Sequence, residues 1–161
     1  MSSTKEYKIS VLGSGAWGTA LAQLISKKNN VLMWVKEKKV KIDINQNHSN
    51  KKFLPNIKLN KNIIGTNDLQ DLRSSEIIFI TIPVQYMSSI LKKIKKIVNS
   101  DVIFVCCSKG IEMNSLKLPS QIVASYFPKH SIAVLSGPNF AEEVSRNMPT
   151  ATLIASNKIA T

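Results

Sequence analysis

Apolar positions along the chain follow two spacings that alternate. Continuous apolar runs, typical of strands that are buried on both faces, lie at 7–12, 31–35, 77–82, 102–107, 132–135 and 150–155. Stretches with the three-to-four spacing or composition of helices lie at 16–27, 36–46, 85–98, 116–126 and 139–146. Strands that alternate with helices predict an α/β fold of the Rossmann type: a doubly wound, mostly parallel sheet with helices on both faces.

One segment lacks either spacing. Residues 47–66 are rich in Asn and Lys and contain the breakers Pro55 and Gly65, so we predict mostly loop there. By contrast, the strand 7–12, the helix 16–27 and the strand 31–35 form a βαβ unit, whose crossover should be right-handed.

Three glycines lie where the first strand passes into the first helix. Gly13, Gly15 and Gly18 fit the pattern GxGxxG, in which the first allows a tight turn and the second lets a pyrophosphate approach the backbone. The third lets the helix lie close to the strand. The free N–H groups and partial positive charge of the helix start favour phosphate there. We therefore predict a dinucleotide site, NAD or NADP.

The end of the second strand bears on the choice between these two cofactors. An acidic residue there usually holds the ribose hydroxyls of NAD, whereas a cation favours the 2'-phosphate of NADP. The strand ends in Lys36, followed by Glu37. Lys36 favours NADP. In this lysine-rich stretch, an ordinary solvent-exposed role for Lys36, with no ligand, is an equally good alternative.

Size and charge limit the remaining possibilities. A chain of 161 residues with 43% hydrophobic content is enough for one domain with its own core. The formal net charge is +12, but aromatic residues make up only 6% and the lysines are spread along the whole chain. We therefore expect a solvated basic surface and no nucleic-acid partner.

The cysteines and histidines give no sign of a metal or redox site. Cys106 and Cys107 are neighbours within an apolar run, and His48 and His130 are far apart in sequence, so we expect buried thiols and no metal. The polar start of the chain and the absence of a long apolar stretch predict a cytoplasmic protein without a membrane partner.

Several segments then match one family in order: GSGAWGTALA, LMWV, NHSNKKFLPNIKLNKNI, IPVQYM, SKGIE and SGPNFAEEV. Together they resemble the NAD(P)-dependent glycerol-3-phosphate dehydrogenases over nearly the whole chain. The match is specific, because Trp17 in the glycine turn, Lys109-Gly110 and Ser136-Gly137-Pro138 occur together in few other dinucleotide-binding families.

The resemblance implies hydride transfer between NAD(P)H and dihydroxyacetone phosphate, which gives glycerol 3-phosphate for phospholipid synthesis. It also implies a cofactor site made of Gly13, Ser14, Gly15, Ala16, Trp17, Gly18, Lys36, Tyr86, Lys109 and Ala141. The substrate residues that it implies are Lys109, Gly137 and Asn139, with Lys109 catalytic. Asn139 departs from the Ser or Thr that is usual at its position.

Lys109 also makes chemical sense without the resemblance. It follows the strand 102–107, at the carboxyl edge where open α/β sheets bind ligands. A ketone that becomes an alkoxide needs positive charge nearby.

Family members continue into a helical substrate domain that carries a second catalytic lysine and supports a homodimer. The resemblance therefore implies that residues 1–161 are the cofactor-binding domain alone, nearly inactive by itself. Two alternatives stay open at this point: a stand-alone dinucleotide-binding sensor or partner module, and a related NADP-dependent reductase of a small hydroxy acid such as ketopantoate.

Overall fold

The structure, a computed structural model, describes residues 7–156. The predicted domain 1–161 extends further at both ends; its polar start, 1–6, and its last residues, 157–161, lie outside the described residues.

Seven strands form one sheet in the order β3-β2-β1-β4-β5-β6-β7. The strands are β1 (Ile9–Leu12), β2 (Val31–Trp34), β3 (Ile63–Thr66), β4 (Ile77–Ile80), β5 (Ile103–Cys106), β6 (Ser131–Ser136) and β7 (Leu153–Ser156). The first six are parallel, and β7 runs antiparallel to β6. The order reverses between β1 and β4, so the crevice that binds ligands in doubly wound folds lies at the carboxyl ends of these two strands.

Between residues 7 and 156, five α-helices connect the strands: α1 (Ala16–Ile25), α2 (Lys38–Ile42), α3 (Val84–Ile94), α4 (Pro119–Tyr126) and α5 (Ala141–Ser145). A π-helical turn, Asp43–Asn47, continues α2, and a 3-10 helix, Leu69–Ser74, precedes β4.

Alternate residues of the strands face opposite layers of helix. Leu12, Ile78 and Phe104 pack with α3 and α4 in one fully buried cluster. Val11 and Met33 belong to a second buried cluster on the other face, which also holds Ala22 of α1. Because both faces are covered, the strands read as continuous apolar runs, and the predicted Rossmann-type fold with helices on both faces is confirmed.

One strand was not predicted, although the segment that contains it is mostly loop, as expected. The segment 47–66, expected to be mostly loop, ends in β3, which pairs with β2 at the sheet edge. Gly65 was read as a breaker, yet it lies inside this strand. The side chain of Asn45 binds both its N–H, at 2.7 Å, and its carbonyl oxygen, at 2.9 Å.

Several helices are shorter than predicted. The stretch 85–98 is helical only over Val84–Ile94, 116–126 only over Pro119–Tyr126, and 139–146 only over Ala141–Ser145. Pro119 occupies the first turn of α4, where its missing N–H costs nothing, which sets the start of that helix.

No helix within residues 7–156 is long and apolar enough to cross a membrane.

Candidate active site

The three glycines of the first turn have three different surroundings. Gly13 has φ +126°, a backbone conformation that side chains disfavour. A Cβ on Gly18 would collide with the carbonyl oxygen of Gly13 and with the hydroxyl of Thr81. A Cβ on Gly15 would meet no atom within 4 Å. Gly13 and Gly18 thus build the turn, whereas the space in front of Gly15 is open to a ligand.

Donors for an anion line this open space. Gly15 is the N-cap of α1, and none of the backbone N–H groups of residues 14–18 has a protein acceptor in the described part of the chain. Unpaired N–H groups at the start of a ten-residue helix, with the positive end of its dipole, suit the pyrophosphate of a dinucleotide. The backbone at this turn therefore fits the predicted cofactor.

A cavity of about 480 Å³ extends from this turn along the ends of β2 and β4. Trp34, Lys36 and Phe53 line one side, and Tyr86 lines it from α3. The Lys36 ammonium lies 5.4 Å from the centroid of the Tyr86 ring. Glu37, also in the lining, is held by Lys52 in an ion pair of 2.6 Å. This cavity has the aromatic wall and the positive charge that an adenosine 2'-phosphate needs.

A second cavity of about 310 Å³ lies at the ends of β4, β5 and β6. Its lining includes Trp17, Lys109, Gly137, Asn139 and Ala141. Thr81, Ile82 and Pro83 line both cavities, so the two adjoin behind the glycine turn. The mostly apolar lining around one cation suits a nicotinamide ring beside a small anionic substrate.

The loop that carries Lys109 is fixed on both sides. The Ser108 hydroxyl donates to the carbonyl of Ile82 at 2.6 Å. The Gln85 amide donates to the carbonyl of Ile111 at 2.9 Å and accepts from the N–H of Met113 at 3.1 Å. Gly110, at φ +101°, makes the turn between these anchors. The backbone of Lys109 is therefore fixed at the mouth of the cavity.

A network of contacts also shapes the loop opposite Lys109. Gly137 has φ +157°, and a Cβ there would collide with the backbone carbonyl of Ala151, so only glycine fits. The carbonyl of Gly137 accepts the N–H of Asn139 at 2.9 Å, and the Asn139 side chain accepts from Thr152 at 3.3 Å.

The cysteines take no part in acid–base chemistry near neutral pH. Both are buried, and Cys107 lines the Lys109 cavity. Burial raises the pKa of each thiol to about 12, so both are protonated. Among residues 7–156, no three His, Cys, Asp or Glu side chains are grouped as metal ligands would be.

Most of the predicted site residues line one of the two cavities, and two of them line neither. Gly13, Ser14, Gly15, Lys36 and Tyr86 line the first cavity. Trp17, Lys109, Gly137, Asn139 and Ala141 line the second. Ala16 and Gly18 line neither; Ala16 begins α1, and Gly18 packs beneath the turn.

Sequence reasoning missed several residues of the site. Thr81 and Lys93 line one or both cavities without belonging to a motif. Phe53 and Ser108 lie in the matched segments NHSNKKFLPNIKLNKNI and SKGIE but were given no role. Only Thr81 could have been identified from sequence. It lies just after a buried strand, and all parallel strands end at the same edge of the sheet, where ligands bind.

Comparison with known proteins agrees with this geometry. The family described as NAD-dependent glycerol-3-phosphate dehydrogenase N-terminus matches residues 8–161. A glycerol-3-phosphate dehydrogenase [NAD(P)+] of Zymomonas mobilis is 43% identical over 152 residues, which are 94% of this chain and 44% of that protein. Its counterpart in Neorickettsia sennetsu is 42% identical over 146 residues, covering 90% and 44%.

Comparison with a solved structure points to the same family. The crystal structure of glycerol-3-phosphate dehydrogenase from Coxiella burnetii superposes with a TM-score of 0.88 at 30% identity, covering 95% of this chain and 47% of that one. The chain thus spans about half the length of the relatives that it matches. These relationships do not favour a stand-alone sensor or a hydroxy-acid reductase. The chain belongs to the NAD(P)-dependent glycerol-3-phosphate dehydrogenase family, whose NAD-binding amino-terminal part it matches.

Proposed function

We propose that the chain binds NAD(P) along its two adjoining cavities and forms the cofactor-binding domain of a glycerol-3-phosphate dehydrogenase. The observation that carries this proposal is the open space at Gly15, at the start of a helix where the N–H groups of residues 14–18 have no acceptor within the described residues. The pyrophosphate lies on these N–H groups, with adenosine toward Lys36 and nicotinamide toward Lys109.

The adenosine end favours NADP. Lys36 supplies a cation for the 2'-phosphate, and Tyr86 supplies a ring face beside it. Glu37, which would otherwise accept ribose hydroxyls and repel a phosphate, is paired with Lys52. This pairing leaves the cavity with a positive charge.

The substrate end supports reduction of dihydroxyacetone phosphate to glycerol 3-phosphate. When bound, the reduced nicotinamide supplies the hydride for the ketone carbon. Lys109 places its positive charge where negative charge develops on the ketone oxygen. Gly137 and Asn139 bind substrate from the opposite loop, and Trp17 and Ala141 exclude water around the ring.

The alkoxide needs a proton, and the substrate phosphate needs a binding site. We assign both to a helical domain beyond residues 1–161, which would bring the second catalytic lysine and complete a homodimer. Proton transfer contributes about 10²- to 10⁴-fold to such reactions, so the chain alone should be nearly inactive. We place the enzyme in the cytoplasm, where its product supplies phospholipid synthesis.

Oxidation of NADPH, followed by absorbance, tests the reaction. The assay uses the protein extended to the length of its relatives. Dihydroxyacetone phosphate and ketopantoate are supplied as substrates in separate reactions. We expect turnover with dihydroxyacetone phosphate and none with ketopantoate. Turnover with ketopantoate alone would contradict the proposed substrate, and turnover with neither would contradict the enzyme assignment.

A further inference from the structure

Asn50 is a fully buried polar residue that lies far from the glycine turn in sequence but contacts it in the fold. Its side-chain amide donates to the carbonyl oxygen of Ser14 at 2.9 Å and to the hydroxyl of Thr19 at 2.8 Å. The Thr19 hydroxyl donates to the same Ser14 carbonyl at 3.2 Å. Two donors therefore hold this one carbonyl on the protein side of the turn.

The direction of that carbonyl fixes the direction of a neighbouring donor. In a planar trans peptide the C=O and the N–H point in opposite directions. The Ser14 carbonyl shares its peptide plane with the N–H of Gly15. When Asn50 and Thr19 hold the carbonyl inward, the Gly15 N–H points away from these two side chains. A Cβ on Gly15 would meet no atom within 4 Å, so the space beside this residue is open.

Thr81 does the same for the preceding peptide. Its hydroxyl lies 3.2 Å from the carbonyl oxygens of both Leu12 and Gly13, and the Gly13 peptide carries the N–H of Ser14. Two consecutive carbonyls are thus held inward, and two consecutive N–H groups point outward. Successive N–H groups that point the same way form a concave anion site.

The segment that carries Asn50 also reaches the adenosine cavity. The Asn50 side-chain oxygen accepts the N–H of Phe53 at 3.3 Å, and Phe53 lines that cavity. The same segment provides Lys52, the partner of Glu37.

An amide is the side chain that these contacts require. At this buried position an aspartate would direct a negative oxygen at the Ser14 carbonyl, and an alanine would leave the Thr19 hydroxyl with one partner fewer. Either change leaves the Thr19 hydroxyl as the one donor to the Ser14 carbonyl, so the Ser14–Gly15 peptide is held less firmly and its N–H is less well directed at the ligand.

We propose that Asn50 is a positioning residue for the pyrophosphate site: it holds the Ser14 carbonyl inward so that the Gly15 N–H faces the ligand. The inference rests on the proposed binding of a dinucleotide in this cleft.

The test compares two ligands in matched variants of the chain. NADPH carries the pyrophosphate, whereas adenosine 2'-monophosphate reaches only the Lys36 cavity. The variants are Asn50→Asp and Asn50→Ala, with Asn45→Ala as control, because Asn45 likewise joins two segments through its amide but binds Gly65 at the sheet edge. Dissociation constants come from calorimetry, and folding is followed by melting temperature.

We expect both Asn50 variants to bind NADPH about tenfold to a hundredfold more weakly, as for a lost hydrogen bond to a charged group. Their affinity for adenosine 2'-monophosphate should stay within about twofold of the native value. Asn45→Ala should lower the melting temperature and leave both affinities unchanged. Equal weakening of both ligands, or unchanged NADPH binding in the Asn50 variants, would overturn the inference.

A second pair of variants covers the case in which the Asn50 variants do not fold. Thr81→Val removes the hydroxyl that holds the Gly13 carbonyl, and Thr81→Ser keeps it. We expect weaker NADPH binding with valine and recovery with serine; equal affinity in the two would overturn the inference. Failure of the native chain to bind NADPH would instead contradict the proposed function itself.

Discussion

The ammonium of Lys36 lies 5.4 Å from the centroid of the Tyr86 ring, so the ends of β2 and the start of α3 meet across the adenosine cavity. The ring directs its negative face at the cation and restricts where the lysine can lie. Lys36 therefore lines the cavity beside this ring, while its side chain, like that of Lys38, stays exposed to solvent.

Lys36→Glu should discriminate between the two cofactors. Reversal of the charge removes the partner of the 2'-phosphate, so NADPH should bind about tenfold to a hundredfold more weakly. NADH, which has a hydroxyl there, should change by less than about threefold. Calorimetric titration with each cofactor measures both values.

Lys38→Glu is the matched control, because Lys38 is exposed on α2 and does not line the cavity. It makes the same change in net charge and should leave the ratio of the two affinities unchanged. Equal losses for NADPH and NADH in Lys36→Glu would remove this lysine from the 2'-phosphate site.

Gly18→Ala should destabilise the fold. The new methyl group would overlap the carbonyl of Gly13 and the hydroxyl of Thr81, so the turn must shift. We expect a loss of about 1–3 kcal/mol in the free energy of unfolding, as for other overpacked sites. Urea denaturation measures it, and a loss below about 0.5 kcal/mol would contradict the close approach of α1 to β1.

Lys109→Met should lower turnover by about 10²- to 10³-fold in the enzyme extended to the length of its relatives, since it removes the charge beside the developing alkoxide. Lys117→Met is the control, because Lys117 is exposed in the same loop outside the cavity. Steady-state NADPH oxidation gives both rates. Similar rates in the two variants would exclude Lys109 from catalysis.

The buried cysteines should make stability depend on alkaline pH. Burial raises the pKa of Cys106 and Cys107 to about 12, from an ordinary value of 9.0 that the unfolded chain retains. The unfolded chain thus releases these protons first. The stabilisation is complete below pH 9 and is lost as the pH rises toward 12.

Urea denaturation at a series of pH values from 8 upward measures this loss. The double variant Cys106→Ala, Cys107→Ala provides the comparison, because it removes both thiols and keeps every other titrating group. Its stability should fall less steeply above pH 9. Parallel curves for the two proteins would show that the thiols do not contribute.

The sequence predicted those parts of the fold and site that depend on local spacing. The turn Gly13 to Gly18 could be recognised because its glycines, strand and helix are adjacent. Lys109 could be placed because parallel strands end at one edge of a sheet. Strand β3 could not be predicted, because Gly65 interrupts its apolar residues and pairing with β2 stabilises it.

The contacts of Asn50 could not be predicted from sequence for a related reason. It contacts Ser14 across 36 positions of sequence, and in composition it is one more asparagine in a polar segment. Such contacts arise when the loop before β3 folds back over α1, which no local pattern encodes. The residues that hold the turn in place were therefore harder to predict than the turn itself.

If a dinucleotide binds through the backbone N–H groups at Gly15, a side chain at that position must block it, and calorimetric titration of the native chain and of Gly15→Val with NADPH measures this effect. The backbone of Gly15, at φ −64°, accepts a valine, so the variant should fold normally while its side chain occupies the phosphate position. NADPH should bind the native chain saturably and should not bind the variant, whose melting temperature should be unchanged. A flat isotherm for the native chain, or equal affinity in the two proteins, would contradict binding at this turn.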